Sequence, residues 1–358
     1  MTSLAYYRLP YSDRYTTMES DSEPLILSSY ESIGGESGFV IAPFAVSAEC
    51  PIVLIRPDRV AHHSLSARNM QGASVSKVQV SKVSETKDTT SPSSSYAEAF
   101  GAYHDAVSEE RFHKLVLARK KEMAFPGLTT TDDARSLFEK ACLMYPRLMI
   151  ILFSTPQTGT WIIASPEILI EGSADNYHTV ALAGTMPYSE GYLDWSDKNK
   201  AEQHIVEEYI ENTLSASCSD ILKDGPVTMR AGNLAHLRTD FRFHLHPETM
   251  LGSLVNRLHP TPAVCGLPKH EAREFILCNE GIDRRYYSGF AGPVGIDGET
   301  HLYVSLRCAE LFPSSNTQHP SSPQAILYAG GGIMPGSSCE SEWMETESKM
   351  KTIKNVLQ

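Results

Sequence analysis

The sequence predicts an α+β fold built on antiparallel sheet. Patterns typical of short strands and of helices are mixed along the chain, without the strict strand–helix alternation that produces parallel sheets. The chain has 358 residues, 41% of them hydrophobic. This is enough for a sizeable core in one large domain or two.

Charge and cysteine usage restrict the class of protein. A net charge of −12 argues against a nucleic-acid surface, although it allows a small anionic substrate. The seven cysteines are widely spread and contain no Cys-x-x-Cys, which is typical of reduced thiols in a cytoplasmic compartment. The clearest apolar run, 148–153, is far too short to cross a membrane. We therefore expect a cytoplasmic protein with no nucleic-acid and no membrane partner.

The first part of the chain is predicted to form strands and then a helix. Residues 1–83 contain short strand patterns, such as Gly38–Phe44 and Pro51–Ile55, between polar turns. Residues 84–95, rich in Ser and Thr, are typical of a linker or surface loop. A helix follows, indicated by apolar residues at helical spacing: Tyr96, Phe100, Tyr103 and Val107.

The remaining elements follow from the same periodicities. The predicted helices are about Thr131–Cys142 and Asp197–Leu214, and the predicted strands are Lys114–Ala118, Leu148–Ser154, Trp161–Ala164, Thr179–Thr185, 301–309 and 325–329. Residues 312–324, rich in Ser and Pro, are predicted to form a long hairpin loop.

A glycine-rich stretch near the C-terminus is the strongest local signal. The apolar run 326–328 enters Gly330, Gly331 and Gly332, whose backbone can approach a ligand closely and turn sharply. Ser337 and Glu340 then fit a capping box, so a helix is predicted to begin there.

On this C-terminal helix Glu342, Glu345 and Lys349 fall on one face. A glycine turn before a helix suits an anionic ligand, and two carboxylates beside it would repel that ligand unless a hard divalent cation lies between. The alternative is an ordinary capped surface helix in which Glu345 and Lys349 form an i,i+4 pair.

Three further charged residues stand in apolar surroundings. Glu202 shares a helix face with Val206 and Tyr209, which is costly unless the carboxylate is paired, binds a metal or reaches water. Glu167 follows a predicted strand, where a solvated loop residue is the ordinary interpretation. Lys114 begins an otherwise apolar strand, and an edge-strand charge is the ordinary interpretation there.

Two other candidates are less specific. His244 and His246 alternate on one strand face and could bind zinc, but no third ligand of suitable spacing is nearby in sequence. Arg307 lies between Leu306 and Cys308, as a half-buried arginine suited to a bidentate contact with a carboxylate.

Taken together in their order, these motifs resemble the chorismate-utilising enzymes, the family of isochorismate, anthranilate, aminodeoxychorismate and salicylate synthases. The resemblance covers about residues 96–357, whereas 1–83 match loosely as a variable part of the fold. It is carried by Lys114-Leu-Val-Leu-Ala-Arg119, Ser165-Pro-Glu167, Leu182-Ala-Gly-Thr185, Lys198-x-x-x-Glu202, Leu234-Ala-His236-Leu, Leu258-His-Pro-Thr-Pro-Ala-Val-Cys-Gly266, Tyr287-Ser-Gly-Phe-Ala-Gly292, Arg307 and the closing Gly-Gly-Gly…Glu342-Trp-x-x-Glu345.

The resemblance implies a fold and a set of roles. The implied fold is a single large α+β domain in which two antiparallel β-sheets form a sandwich flanked by helices, with 96–358 as the chorismate-binding catalytic region. Lys114 is implied as the base that activates water and Glu167 as the acid that protonates the leaving hydroxyl. Mg²⁺ is the implied cofactor, held by Glu202 and Glu345 with Glu342 close by. The implied substrate-binding residues are Gly184, Thr185, His236, Ala263, Tyr287, Arg307, Gly330, Gly331, Gly332 and Lys349.

Within the family the chain most resembles isochorismate synthases, which convert chorismate to isochorismate for menaquinone or catechol siderophore synthesis. Members that use ammonia have Lys or Thr where this chain has Ala263, so water as nucleophile and no glutaminase subunit are expected. One departure is Gln203 after Glu202, where the family usually has His. The alternatives are a salicylate synthase, which also eliminates pyruvate, and an inactive chorismate-binding module. Nothing in the sequence requires more than a monomer.

Overall fold

The computed structural model describes residues 3–65, 91–125, 128, 130–191, 193–313 and 325–358. Almost all of the predicted hairpin loop at 312–324 and most of the predicted linker at 84–95 lie outside these residues.

Strands and six α-helices alternate irregularly along the described part of the chain. The helices are α1 (Ser94–Ser108), α2 (Thr131–Met144), α3 (Asp197–Ser215), α4 (Leu251–Leu258), α5 (Lys269–Asn279) and α6 (Cys339–Leu357). The strands are β1 (Ser3–Arg8), β2 (Arg14–Ser20), β3 (Leu25–Leu27), β4 (Gly38–Ala42), β5 (Ile52–Ile55), β6 (Arg59–Ser64), β7 (Lys114–Met123), β8 (Met149–Thr155), β9 (Gly159–Ser165), β10 (Ile168–Ser173), β11 (Asn176–Pro187), β12 (Cys218–Ala231), β13 (Leu234–Leu245), β14 (Gly266–Leu267), β15 (Phe290–Val294), β16 (Glu299–Val304), β17 (Cys308–Leu311) and β18 (Ala325–Ile333).

The described strands form two antiparallel sheets of nine strands each. The first sheet has the order β14-β7-β18-β17-β9-β8-β1-β2-β6, and the second has the order β12-β13-β11-β10-β16-β15-β4-β5-β3. The N-terminal strands enter both sheets, since β1 pairs with β8 in the first and β4 pairs with β15 in the second. The predicted sandwich of antiparallel sheets is confirmed.

The two sheets pack face to face over a shared apolar core. Side chains from both sheets meet in it, among them Phe153 and Trp161 of the first sheet and Phe39 and Val180 of the second. The outer face of the second sheet is covered by α3 and α4, and that of the first by α2 and α6. Each sheet therefore buries both faces, which explains why several strands are apolar throughout.

Two connections carry the chain from one sheet to the other and lie side by side. Residues 166–167 join β9 to β10, and residues 305–307 join β16 to β17. Ser165 Oγ donates a hydrogen bond to Val304 O at 2.6 Å, and Val304 N donates to Glu167 O at 3.0 Å. These crossovers therefore bring Glu167 and Arg307 to the same place between the sheets.

Most predicted elements are present, with three corrections. The predicted strand 301–309 is interrupted, because Arg307 adopts a left-handed backbone (φ 48°) at the crossover. The predicted glycine turn is wrong: Gly330, Gly331 and Gly332 lie inside β18 and pair with Ala118, Leu117 and Val116 of β7. The last helix is capped by Ser338, not by Ser337.

The first helix also begins earlier than its predicted start. It begins at Ser94, within the predicted linker, and Ser93 caps it. The four residues whose spacing predicted it, Tyr96, Phe100, Tyr103 and Val107, are all buried.

Candidate active site

A small cavity of about 60 Å³ lies between the two sheets, where the crossovers meet the glycine strand β18. Most of the predicted site residues line it: Glu167, Gly184, Thr185, Glu202, His236, Ala263, Tyr287, Arg307, Gly330, Gly332 and Lys349. The other predicted site residues are next to this lining. Lys114 pairs with Glu202 and Glu345 with Lys349, and Glu342 lies against Gly331, the neighbour of Gly330 and Gly332 in β18. The structure therefore brings the whole predicted set together.

Lys114, at the start of β7, is completely buried, and its Nζ lies 2.8 Å from Glu202 Oε1. Burial would raise the pKa of Glu202, but the charges of Lys114, Lys198 and Lys349 outweigh it and hold the pKa below its usual range. The edge-charge interpretation of Lys114 and the water-exposed interpretation of Glu202 are both wrong.

Glu167 is buried at the β9–β10 crossover, with only 3% of its surface exposed. Burial raises the pKa of its carboxyl to about 8, although the charges of Lys114 and Lys349 act in the opposite direction. Glu167 is therefore mostly protonated at neutral pH and can donate a proton. The solvated-loop interpretation of this residue is wrong.

The glycines of β18 are needed because carboxylates approach the strand closely. A Cβ on Gly332 would lie 2.2 Å from Glu202 Oε1 and 2.8 Å from Lys114 Cε. A Cβ on Gly331 would lie 2.8 Å from Glu342 Oε2 and 3.8 Å from Glu345 Oε1. The sequence predicted that a ligand approaches these glycines, which stays a prediction. In the structure, side chains of α3 and α6 lie close to Gly331 and Gly332 in an extended strand.

Each of the three carboxylates predicted to bind metal is paired with its own lysine. Glu202 contacts Lys114, Glu342 accepts a hydrogen bond from Lys198, and Glu345 lies 2.7 Å from Lys349. No group of His, Cys, Asp or Glu side chains among the described residues is arranged ready to hold a metal ion, and His244 and His246 instead lie near Asp175 and Glu248.

The donor set nevertheless suits a hard divalent cation. Glu342 is almost fully buried, and its Oε2 has no hydrogen-bond partner among the described residues. Burial raises the pKa of Glu342, and the charge of Glu345 adds to this increase. Mg²⁺ prefers oxygen ligands and is commonly bound through one or two carboxylates, so the unpartnered Oε2 of Glu342 fits such an ion.

Arg307 supplies a buried positive charge to the cavity. Its Nη1 donates to Ala231 O at 3.0 Å and its Nη2 to His236 Nε2 at 2.6 Å, and it forms no ion pair with any carboxylate of the described residues. Because guanidinium nitrogens only donate, Nε2 of His236 accepts, and Nδ1 donates to Gly184 O at 3.0 Å. His236 is therefore neutral, since burial and then the charge of Arg307 hold its pKa well below 6.5.

The other predicted substrate residues shape the remaining walls. Thr185 Oγ1 lies 3.3 Å from His236 Nδ1, and Lys349 Nζ donates to Gly330 O at 2.8 Å. Tyr287 stacks on Tyr328, with ring centroids 5.7 Å apart. Ala263 lines the cavity with a methyl group, so it offers no amine.

Gln203, the departure from the family pattern, has a clear structural role. It is buried, and its Oε1 accepts from Ala183 N at 2.8 Å while its Nε2 donates to Ala181 O at 3.1 Å. Nε2 also lies 3.2 Å from Glu207 Oε1. Gln203 thus ties α3 to β11 next to Glu202 and Gly184.

Several residues around the site have roles that the sequence pattern did not reveal. Lys198 belongs to the motif Lys198-x-x-x-Glu202, and its i,i+4 spacing to Glu202 is the sequence signal that could have identified it as a site residue. The buried pair of Glu280 and Arg284 has the same i,i+4 spacing, which by itself does not indicate that the pair is buried next to the site. Arg284 donates to Val116 O and to Val264 O, each at 2.7 Å, and so holds β7 and the segment of Ala263 together.

The fold and this site define the class of protein, namely an α+β enzyme with a charged cavity between two antiparallel sheets. The family model described as "Chorismate binding enzyme" matches residues 48–358. The chain belongs to this family.

Individual relatives are similar over much of the chain. Isochorismate synthase EntC of Escherichia coli (strain K12) is 28% identical over an alignment of 256 residues, and the match covers 68% of this chain and 62% of EntC. A Mycobacterium tuberculosis (strain ATCC 25618 / H37Rv) protein named MenF is 30% identical over an alignment of 337 residues, and the match covers 88% of this chain and 84% of that protein.

Among solved structures, MenF, the menaquinone-specific isochorismate synthase from Escherichia coli, superposes with a TM-score of 0.77 at 21% identity. The match covers 99% of this chain and 89% of that structure. The shared fold is thereby shown. Among the described helices, none has the length and apolar character to span a membrane.

Proposed function

We propose that this protein converts chorismate into isochorismate by adding water at C2 of the ring and expelling the C4 hydroxyl. The observation that carries the proposal is a cavity lined by a protonated Glu167 and by the positive charge of Arg307. The buried Lys114 amine lies next to this lining, 2.8 Å from Glu202 Oε1. This combination offers an acid, a base and an anion site in one water-poor space.

The roles of acid and base follow from the surroundings of the two residues. Lys114 is the base in this proposal and takes the proton of the water that attacks C2. Glu167 gives its proton to the C4 oxygen as that bond breaks. The two side chains thereby move protons at the entering and leaving oxygens, and their burial keeps bulk water from competing.

The anionic groups of the substrate have matching positive partners. Arg307, oriented by His236, is positioned for one carboxylate, and Lys349 near Gly330 adds a second positive charge. Glu202 and Glu345, with Glu342 beside them, are the residues that would hold Mg²⁺. The bound ion would neutralise the substrate's ring carboxylate and polarise the ring.

Ala263 supports water as the nucleophile. Its methyl group leaves space in the cavity wall and provides no amine, so no ammonia-supplying glutaminase subunit is needed. We infer a single-chain enzyme of the cytoplasm, whose product would supply menaquinone or catechol siderophore synthesis.

The test is to incubate the purified protein with chorismate and MgCl₂ and to identify the products by chromatography and NMR. Isochorismate alone is the expected product. Salicylate with pyruvate would show that the enzyme continues to a second elimination. Unchanged chorismate under saturating Mg²⁺ would refute the proposal.

A further inference from the structure

We propose that Lys198 is an internal counter-ion that occupies the cation's place at Glu342 and withdraws when a divalent metal binds. This role rests on the proposed function, because it concerns the metal carboxylates of the same site. Three observations support it, namely the pairing of charges, the exposure of each lysine and the burial of Glu342.

The charges at the site balance without a metal. Lys114, Lys198 and Lys349 each pair with one of the three carboxylates, so these groups sum to zero. With Lys198 withdrawn, a divalent cation would leave these groups with one net positive charge. The buried Arg307 of the cavity adds a second, and a dianion such as chorismate would cancel both. Metal and substrate are therefore expected to strengthen each other's binding.

Only some of the three lysines can leave. Lys114 is fully buried and is held by the surrounding core. Lys198 lies in the first turn of α3 with 25% of its side chain exposed, so its amine can swing into water at little cost. Lys349 has a similar exposure but also donates to Gly330 O, which retains it.

Glu342 is the carboxylate that gains most from the exchange. Its side chain is 1% exposed, its Oε1 already accepts from Lys198 and from Ser337 Oγ, and its Oε2 has no partner within the described chain. A buried carboxylate left without a cation is costly. Lys198 therefore stabilises the protein without metal and competes with metal for the same carboxylate group.

The experiment is a titration of the chelator-treated full chain with MnCl₂, without chorismate, following free Mn²⁺ by EPR. Lys198→Met should bind Mn²⁺ at least about tenfold more tightly than the parent, because a positive charge next to the site is removed. Lys198→Arg, which keeps the charge, should remain close to the parent. Lys200→Met, an exposed lysine of the same helix, is the matched control and should change nothing.

A second measurement reports on the metal-free protein. In excess EDTA, Lys198→Met should melt at a lower temperature than Lys200→Met, and MnCl₂ should remove the difference. If the Met variant does not fold, Lys198→Gln serves in both measurements. Unchanged or weaker Mn²⁺ binding, or equal melting in EDTA, would overturn the counter-ion role.

These outcomes are separate from those of the proposed function. If the parent makes no isochorismate but the Met variant binds Mn²⁺ more tightly, the reaction assignment fails and the role of Lys198 stands. If the parent makes isochorismate and the variant gains no affinity, the assignment stands and the counter-ion role is refuted.

Discussion

The Glu167→Gln variant would keep the shape of the buried side chain but remove its acidic proton. With a pKa of about 8, the carboxyl is about 90% protonated at pH 7, whereas an ordinary glutamic acid would be only about 0.3% protonated. Burial thus increases the fraction of the proton-donating form about 300-fold. We expect Glu167→Gln to lower kcat by about 10² or more, with a smaller effect on KM.

The pH profile gives the more specific signature. In the parent, kcat/KM should fall as pH rises above about 8, because the free enzyme loses its acid form there. The variant should lack this alkaline limb. Steady-state kinetics with chorismate and saturating Mg²⁺ between pH 6 and 9.5 measures both effects.

Stability provides a control that needs no activity. Folding raises the pKa of Glu167 from 4.5 to about 8. Its contribution to the free energy of unfolding is therefore fully present below about pH 4.5 and is lost as the pH rises to about 8. At pH 7 the cost in the parent is about 3 kcal/mol as an upper limit. The Gln variant carries no such cost, so its Tm should fall less between pH 5 and 8. A near-normal kcat, or an alkaline limb that persists in the variant, would refute the acid role.

Three further predictions concern the base, the metal and the nucleophile. Lys114→Ala should lower kcat by about 10² or more with a smaller change in KM, because the attacking water loses its base; steady-state kinetics measures this, and a near-normal kcat would show a wrong assignment. Glu345→Gln should reduce turnover at least about tenfold, with partial recovery at high Mg²⁺, because one metal ligand is weakened. If the parent protein keeps its full activity in excess chelator, the metal role is contradicted. Ala263→Lys should fold, lose most isochorismate formation and form some covalent adduct with chorismate, because its amine competes with water. Intact-protein mass spectrometry detects the adduct. Hydration of chorismate at the parent rate, with no added mass, would show that Ala263 does not face the attacked carbon.

The sequence alone was sufficient for the local structure and for the identity of the chemical groups. Helices such as α1 and α3 follow from apolar spacing, because one face of each must be buried. The order of the motifs indicated the family, and the family indicated the sandwich. The sequence also singles out the carboxylates, Lys114 and Arg307, since few roles suit charged residues in apolar surroundings.

Local patterns were misleading where distant segments decide the conformation. Three consecutive glycines predict a turn, yet Gly330, Gly331 and Gly332 continue a strand, because β7 supplies backbone partners and incoming carboxylates leave no room for a Cβ. Arg307 was predicted to lie in a continuous strand. Its left-handed backbone arises because the chain must pass from one sheet to the other at this point.

The tertiary structure alone decided which charges meet. Lys198 and Glu342 are 144 residues apart in the chain, and Ser165 and Val304, which join the two crossovers, are 139 apart. Propensities and spacings describe neighbours within a few turns, so they contain no information on such pairs. The protonated state of Glu167 likewise depends on burial by residues from both sheets. The sequence therefore determined which groups are present, and the packing of the two sheets determined their protonation and their partners.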